Sequence, residues 1–175
     1  GNKTTWDGPF NEWFRIFVQE ANQAVFDNGQ ANHALNLDAC EVPGEYDLVY
    51  VDTPYVSKRG VAVDYLDFYH FLEGFTIYEE WDEHIDRRSK HRRLKPRPSE
   101  WSGRRLVQNA FARLFHRYAE SMIVVSYRGD GIPSESELVS LLKEYKDTVH
   151  VVHFGQYKYA LSTNAESQEI LLIGT

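Results

Sequence analysis

The chain has 175 residues, 42% apolar and 14% aromatic, enough to enclose one hydrophobic core, so a single domain spanning 1–175 is expected. No stretch approaches the roughly 18 consecutive apolar residues of a membrane span, the first six residues do not read as a secretory signal, and Cys40 is the only cysteine, which excludes an internal disulfide and a cysteine metal cluster. A soluble protein in a reducing, cytoplasmic setting is expected, and the net charge of −7 argues against a uniformly basic nucleic-acid binder.

Residues 11–26 carry Phe14, Phe17, Val18, Ala21 and Val25 at helical spacing, with Asp27-Asn28-Gly29 as the stop. The run 48–51, preceded by Gly44 and closed by Pro54, is short and continuously apolar, as in a buried strand. A second helix is predicted over 65–81 from Leu66, Tyr69, Leu72, Phe75 and Tyr78 at steps of three, interrupted only by Gly74. A third covers 101–120, with Leu106, Val107, Ala110, Leu114, Phe115 and Tyr118 facing inward. A buried strand follows at 122–126. Ser134 and Glu137 have capping-box spacing and open a helix over 135–145. Short strands at 149–154, 158–162 and 170–173 close the chain. This order is that of the second half of a doubly wound α/β sheet.

Several residues invite chemistry. Asp52-Thr53-Pro54-Tyr55 closes the first strand, the usual ligand-binding end of a parallel sheet. Seven of the 19 basic residues lie in one stripe: Arg87, Arg88, Lys90, Arg92, Arg93, Lys95 and Arg97. Such a stripe suits phosphates, while a solvated linker is the plainer reading of a charge run taken alone. Once another feature points to DNA, the region 82–105 reads as a basic, DNA-contacting insertion. Tyr65, Phe68, Tyr69, His70 and Phe71 could stack bases, but aromatics at helical spacing are usually core, and core is the expectation. His150 and His153 would face opposite sides of a strand, and no metal site is expected. Gly129-Asp130-Gly131 is either a loop near the substrate or an ordinary turn.

The stretch Tyr46-Asp47-Leu48-Val49-Tyr50-Val51-Asp52-Thr53-Pro54-Tyr55 resembles the signature strand and loop of DNA amino-methyltransferases of the adenine-N(6) type, whose usual tetrad is Asp-Pro-Pro-Tyr. Asn36-Leu37-Asp38-Ala39 upstream, and the segments from Asp64 to Gly74 and Val124 to Arg128 downstream, agree with it, so the likeness runs from about Trp13 to the C-terminus. The resemblance implies a Rossmann-like α/β fold with a mixed sheet ending in an antiparallel hairpin. It also implies methyl transfer from S-adenosylmethionine to adenine in DNA, in a restriction-modification or solitary methylation system. Asp52, Thr53, Pro54 and Tyr55 would be catalytic and Asp38 would lie near the cofactor adenine, though Asp38 reads equally well as a turn residue. Tyr127 would line the base pocket or simply pack at a strand end.

The chemistry accounts for the tetrad. Adenine's amine is a poor nucleophile because its lone pair is delocalised, so its hydrogens must be held and its nitrogen aimed. Asp52 would accept one hydrogen and the Thr53 carbonyl the other, favouring the positive charge that develops on nitrogen. Pro54 would stiffen the loop and Tyr55 would offer a stacking face to an extruded base. Thr53 replaces the usual first proline, at some cost in rigidity. The family's Phe-x-Gly-x-Gly turn has no counterpart in this sequence. The fold is therefore expected to be incomplete, lacking its first strands and much of the cofactor site. The edge at Asp52 should then be paired with another chain, covered by helix 11–26, or poorly ordered. Two other readings stay open: a DNA-binding remnant without catalysis, and an amino-methyltransferase acting on RNA.

Overall fold

The computed structural model describes residues 7–57, 64–97, 99–156 and 168–175. They fall into two compact units, one reaching to Asn36 and one from Leu37 to Thr175. The first holds helix α1, Phe10–Ala24, which begins at Pro9, where a missing N–H costs nothing. It stops two residues before the predicted end because Val25 turns extended.

The second unit is built on a four-stranded mixed sheet of β1 (Leu48–Asp52), β2 (Met122–Arg128), β3 (Val149–Gln156) and β4 (Gln168–Gly174). Their order across the sheet is β1-β2-β4-β3. β1 and β2 are parallel, with Leu48 opposite Met122 and Asp52 opposite Ser126. β4 lies antiparallel to both β2 and β3, so the chain's last strand fills the slot between them. The mixed sheet and closing hairpin agree with expectation. The predicted strand at 158–162 lies outside the described residues.

One face of the sheet carries the core. Parallel register puts Val49 and Val51 beside Ile123 and Val125, and β4 adds Ile170 and Leu172 to the same side. Helix α5 (Val107–Arg117) covers them with Val107, Phe111, Leu114 and Phe115, and α6 (Glu135–Leu142) with Leu138, Leu141 and Leu142. The predicted capping box at the start of α6 is present: the Ser134 N–H donates to Glu137 Oε2 at 2.7 Å and Glu137 N to Ser134 Oγ at 3.4 Å. The Ser134 hydroxyl, which donates to the same Oε2 at 2.7 Å, and then the Ser134 N–H hold the Glu137 carboxyl below its ordinary range. Within α5 the reading missed Phe111, which is fully buried, and misplaced Leu106, which precedes the helix and stands exposed. Residues 100–102 form a separate 3-10 turn instead of joining that helix.

The opposite face is barely covered. Leu48, Tyr50, Met122, Val152 and Phe154 are all exposed. β1 is the edge strand and pairs on one side only among the described residues.

The predicted helix 65–81 is three pieces: α2 (Tyr65–Phe68), α3 (His70–Thr76) and α4 (Trp81–His84), broken where Tyr69 and Ile77 leave helical geometry. Gly74 is not the break. It sits inside α3 under the Trp81 ring, where a Cβ would lie 2.1 Å from the indole. The aromatic residues assigned to the core are not in it. Tyr65, Phe68, Tyr69 and Phe71 are all about half exposed or more, because four-residue helices cannot carry a continuous stripe onto the sheet.

Replacing Phe111 with Ala should cost about 3–5 kcal/mol, since its ring meets Trp101, Phe115 and Tyr127 at 5.1–5.6 Å. Urea denaturation should show the lower midpoint.

Candidate functional site

Parallel pairing of β1 with β2 fixes the site, because it sets Asp52 beside Ser126 at the C-terminal end of both strands. From there the tetrad turns away. Asp52 is exposed, and its Oδ1 accepts a hydrogen bond from the Tyr55 hydroxyl at 2.9 Å. The same hydroxyl lies 3.4 Å from Ser126 Oγ, which donates to Glu169 Oε1 at 2.8 Å. A carboxylate has room for further donors, so a solvent-facing Asp52 held by one oxygen is well placed to receive an amine hydrogen.

The loop behind it is held from below. The Tyr127 hydroxyl accepts from Val56 N at 3.3 Å and donates to the Ile132 carbonyl, while Ile132 N donates back to the Val56 carbonyl at 2.8 Å. Ser57 bridges to Gly131, and a Cβ on Gly131 would lie 2.5 Å from the Tyr127 ring. The 129–131 turn thus packs under the tetrad loop and is stiffened by the bidentate Arg128–Asp130 pair at 2.7 and 2.9 Å. Tyr127 is fully buried, and burial pushes its phenol up. It positions the loop, and its ring stands edge-on to Tyr55 at 5.4 Å.

Beside the tetrad is a cavity of about 380 Å³ lined by Ala39, Val42, Val51, Thr53, Pro54 and Trp101, among others. Its upstream wall is tied to α5: the Tyr118 hydroxyl donates to the Ala39 carbonyl at 2.6 Å, and Arg117 donates to the Val42 and Gly44 carbonyls, each at 2.8 Å. Asp38 lies one residue before that wall, exposed, with Oδ1 accepting from Cys40 N at 2.9 Å. Asp38 thus caps a local turn immediately before Ala39, which lines the cavity. The Thr53 side chain is buried, and Oγ1 has no hydrogen-bond partner among the described residues. Burial, reinforced by Asp38, pushes the Cys40 thiol up, which disfavours the thiolate a nucleophile needs.

Apolar walls suit the flat base of a nucleoside cofactor. A cradle for its charged amino-acid end is not seen among the described residues, since the 129–131 turn is filled by Tyr127 and Arg128 side chains. The fit to S-adenosylmethionine is thus to one end only.

The basic stripe forms a small hairpin. Ile85 bridges to Leu94, Asp86 N donates to the Arg93 carbonyl and Lys95 N to the His84 carbonyl, each at 2.8 Å, with Arg92 in the left-handed region at φ 53°. Sequence reasoning gave the seven cations one role, and the structure divides them. Arg93 reaches back to Asp67 on α2 at 2.8 Å, Arg87 pairs with Asp82 at 2.6 Å, and Lys95 donates to the Glu83 carbonyl at 2.6 Å. Arg88 is 99% exposed, and Lys90 and Arg97 are exposed without an ion pair among the described residues. No group of three or more His, Cys, Asp or Glu side chains suited to a metal occurs among the described residues, and none of their helices is long and apolar enough to cross a membrane.

Comparison with known proteins gives three relatives. The chain is 30% identical over 161 residues to modification methylase StsI of Streptococcus sanguinis, covering 83% of this chain and 22% of that protein. It is 27% identical over 150 residues to type II methyltransferase M.FokI of Planomicrobium okeanokoites, with the same two coverages of 83% and 22%. To type II methyltransferase M2.HphI of Haemophilus parahaemolyticus it is 26% identical over 174 residues, or 93% of this chain and 45% of that one. The chain thus spans between about a fifth and just under half of these relatives. No family model matches it, and no solved structure matches it significantly.

Replacing Tyr127 with Phe should cost about 1–3 kcal/mol, the penalty for stranding buried hydrogen-bonding groups. Hydrogen exchange should show faster opening at Val56 than in the unaltered chain.

Proposed function

We propose that this chain, a relative of the type II DNA modification methylases, is the substrate-side half of a methyltransferase acting on the exocyclic amine of adenine in DNA. The observation that carries the reading is the exposed Asp52 at the C-terminal end of a parallel strand, tied to Tyr55 and lying against a cavity. The similarity to the modification methylases supports methyl transfer to DNA, and the amine-holding tetrad supports adenine within it.

The mechanism follows from the chain's own groups. An extruded adenine presents its amine to Asp52, which accepts one hydrogen, and to the Thr53 carbonyl, which accepts the second. These fixed acceptors raise electron density on nitrogen and stabilise the positive charge that grows there. The Tyr55 ring stacks on the base, while its hydroxyl bond to Asp52 keeps the carboxylate from rotating away. Bound S-adenosylmethionine supplies the electrophilic methyl group. After transfer, one proton must leave the nitrogen, and Asp52 or water takes it. Asp38, at the cavity margin, would hold the cofactor's adenine, and exposed members of the basic stripe would hold DNA phosphates.

The exposed apolar face and the edge of β1, unpaired among the described residues, suggest that further polypeptide completes the sheet, either a longer version of this chain or a second one. On this reading the chain alone is not competent. Such a system would act inside the cell, where its DNA is.

The test is transfer of a labelled methyl group to DNA by the complete polypeptide. Asp52→Ala should lower the rate by about 10²–10³, the usual cost of removing one preorganised group of this kind, without changing the melting temperature by more than a degree or two, since Asp52 is exposed. Unaltered transfer in that variant would refute the assignment. DNA retention with no transfer by the complete polypeptide would favour a non-catalytic remnant.

A further inference from the structure

The segment 64–97 hides little of itself. Only Gly74 and Leu94 are buried among its residues, and none of them belongs to the core cluster. Yet it is rich in rings. Tyr65, Phe68, Tyr69, Phe71, Phe75 and Tyr78 are exposed, from 48% at Tyr65 to 70% at Tyr78. A patch of this kind marks an interaction surface.

Three observations say what covers part of it. Tyr65 and Tyr69 lie ring over ring, with centroids 5.8 Å apart and planes 12° apart, and both keep a solvent-facing surface. Their helix is the first to follow β1 in the chain, and burial and then the Asp52 charge push the Tyr65 phenol up. The pair also adjoins the cations, because Asp67, between the two tyrosines on α2, is held by Arg93 at 2.8 Å. From that anchor the hairpin carries Arg87, Arg88, Lys90 and Arg92 at its tip, with no acidic residue among 87–92. Acidic side chains lie at 79–83, where Asp82 neutralises Arg87, and at Asp86, which stands 3.9 Å from both Arg88 and Arg93.

We propose that the Tyr65–Tyr69 pair and the tip of the basic hairpin form one nucleic-acid-binding face, on which bases next to the target nucleotide stack while Arg88, Lys90 and Arg92 meet phosphates. Aromatic rings beside exposed cations suit an unstacked strand, whose bases expose their faces and whose backbone is anionic. A protein partner would fit the rings and leave the cations unanswered. Extruding one base exposes the faces of its neighbours, and the Tyr65–Tyr69 pair offers them a stacking surface. The inference rests on the reading of Asp52 as the amine-holding group and adds residues which the tetrad does not include.

The experiment is fluorescence anisotropy of the full chain with a short labelled single-stranded DNA, repeated over a range of salt. The double variant Tyr65→Ala, Tyr69→Ala should bind about tenfold more weakly, the scale of losing one stacked base. Tyr65→Phe with Tyr69→Phe should bind within about twofold of the parent, because the rings remain. Replacing Arg88 and Lys90 with Ala should flatten the dependence of log affinity on log salt by about one to two. The proposal is overturned if the parent chain does not bind DNA, or if the Ala pair binds like the parent with an unchanged circular dichroism spectrum. It is also overturned if the Ala pair alters only self-association in sedimentation. Methyl transfer by the complete polypeptide separates the two readings. Asp52-dependent transfer with unaffected DNA binding in the tyrosine variants sinks this inference alone. Tyrosine-dependent binding with Asp52-independent transfer sinks the tetrad's role and leaves the binding face standing.

Discussion

The parallel pairing of β1 with β2 is the constraint on which the rest of the site depends. It is the only parallel contact in the described sheet, and its register sets Asp52 opposite Ser126. From that one alignment follow the Tyr55–Asp52 bond, the approach of the Tyr55 hydroxyl to Ser126, and the anchoring of Ser126 to Glu169 on β4. A slip of one residue would turn Val51 away from the core and Asp52 into it. Burying the side chains of β1 and β2 against α5 therefore fixes the orientation of a carboxylate that itself touches no core residue.

The polar support beneath the tetrad works in the same direction. Tyr127 could have been an ordinary core aromatic, but its hydroxyl exchanges hydrogen bonds with the two segments that meet under the loop. Buried polar groups left unpaired are costly, so the loop has one low-energy arrangement. Preorganisation of this kind is what holding an amine requires, since acceptors that must first be oriented lose much of their advantage. Thr53 fits the same pattern only in part. Its hydroxyl is buried and has no partner among the described residues.

Much of this was legible in the amino acids, for identifiable reasons. The strands at 48–51 and 122–126 are dense in β-branched residues and bounded by turns, and the capping box at Ser134 is a local signal that tertiary packing had no cause to override. The site was legible where chemistry is concentrated in adjacent residues, as in 52–55. It was not legible where function depends on what a segment fails to bury. Residues 65–81 have helical spacing, but Tyr69 and Ile77 break the run into pieces too short to seat a stripe on the sheet. Rings assigned to the core by periodicity therefore stand in solvent. Charge counting likewise could not separate Arg93, locked onto Asp67, from Arg88, which is almost wholly exposed. Phe111 was missed although it sits about one turn from Val107, Leu114 and Phe115, all correctly read as buried, a gap that summing the whole face of the helix would have closed.

The account stands on a carboxylate that grips an amine, and the position of the new methyl group on the product reads this out most directly. DNA treated by the complete polypeptide with isotopically labelled S-adenosylmethionine can be digested to nucleosides and analysed by mass spectrometry. The account predicts the label on the exocyclic nitrogen of deoxyadenosine. Label on the ring carbon of deoxycytidine would contradict it, because that chemistry needs a covalent nucleophile in place of fixed hydrogen-bond acceptors.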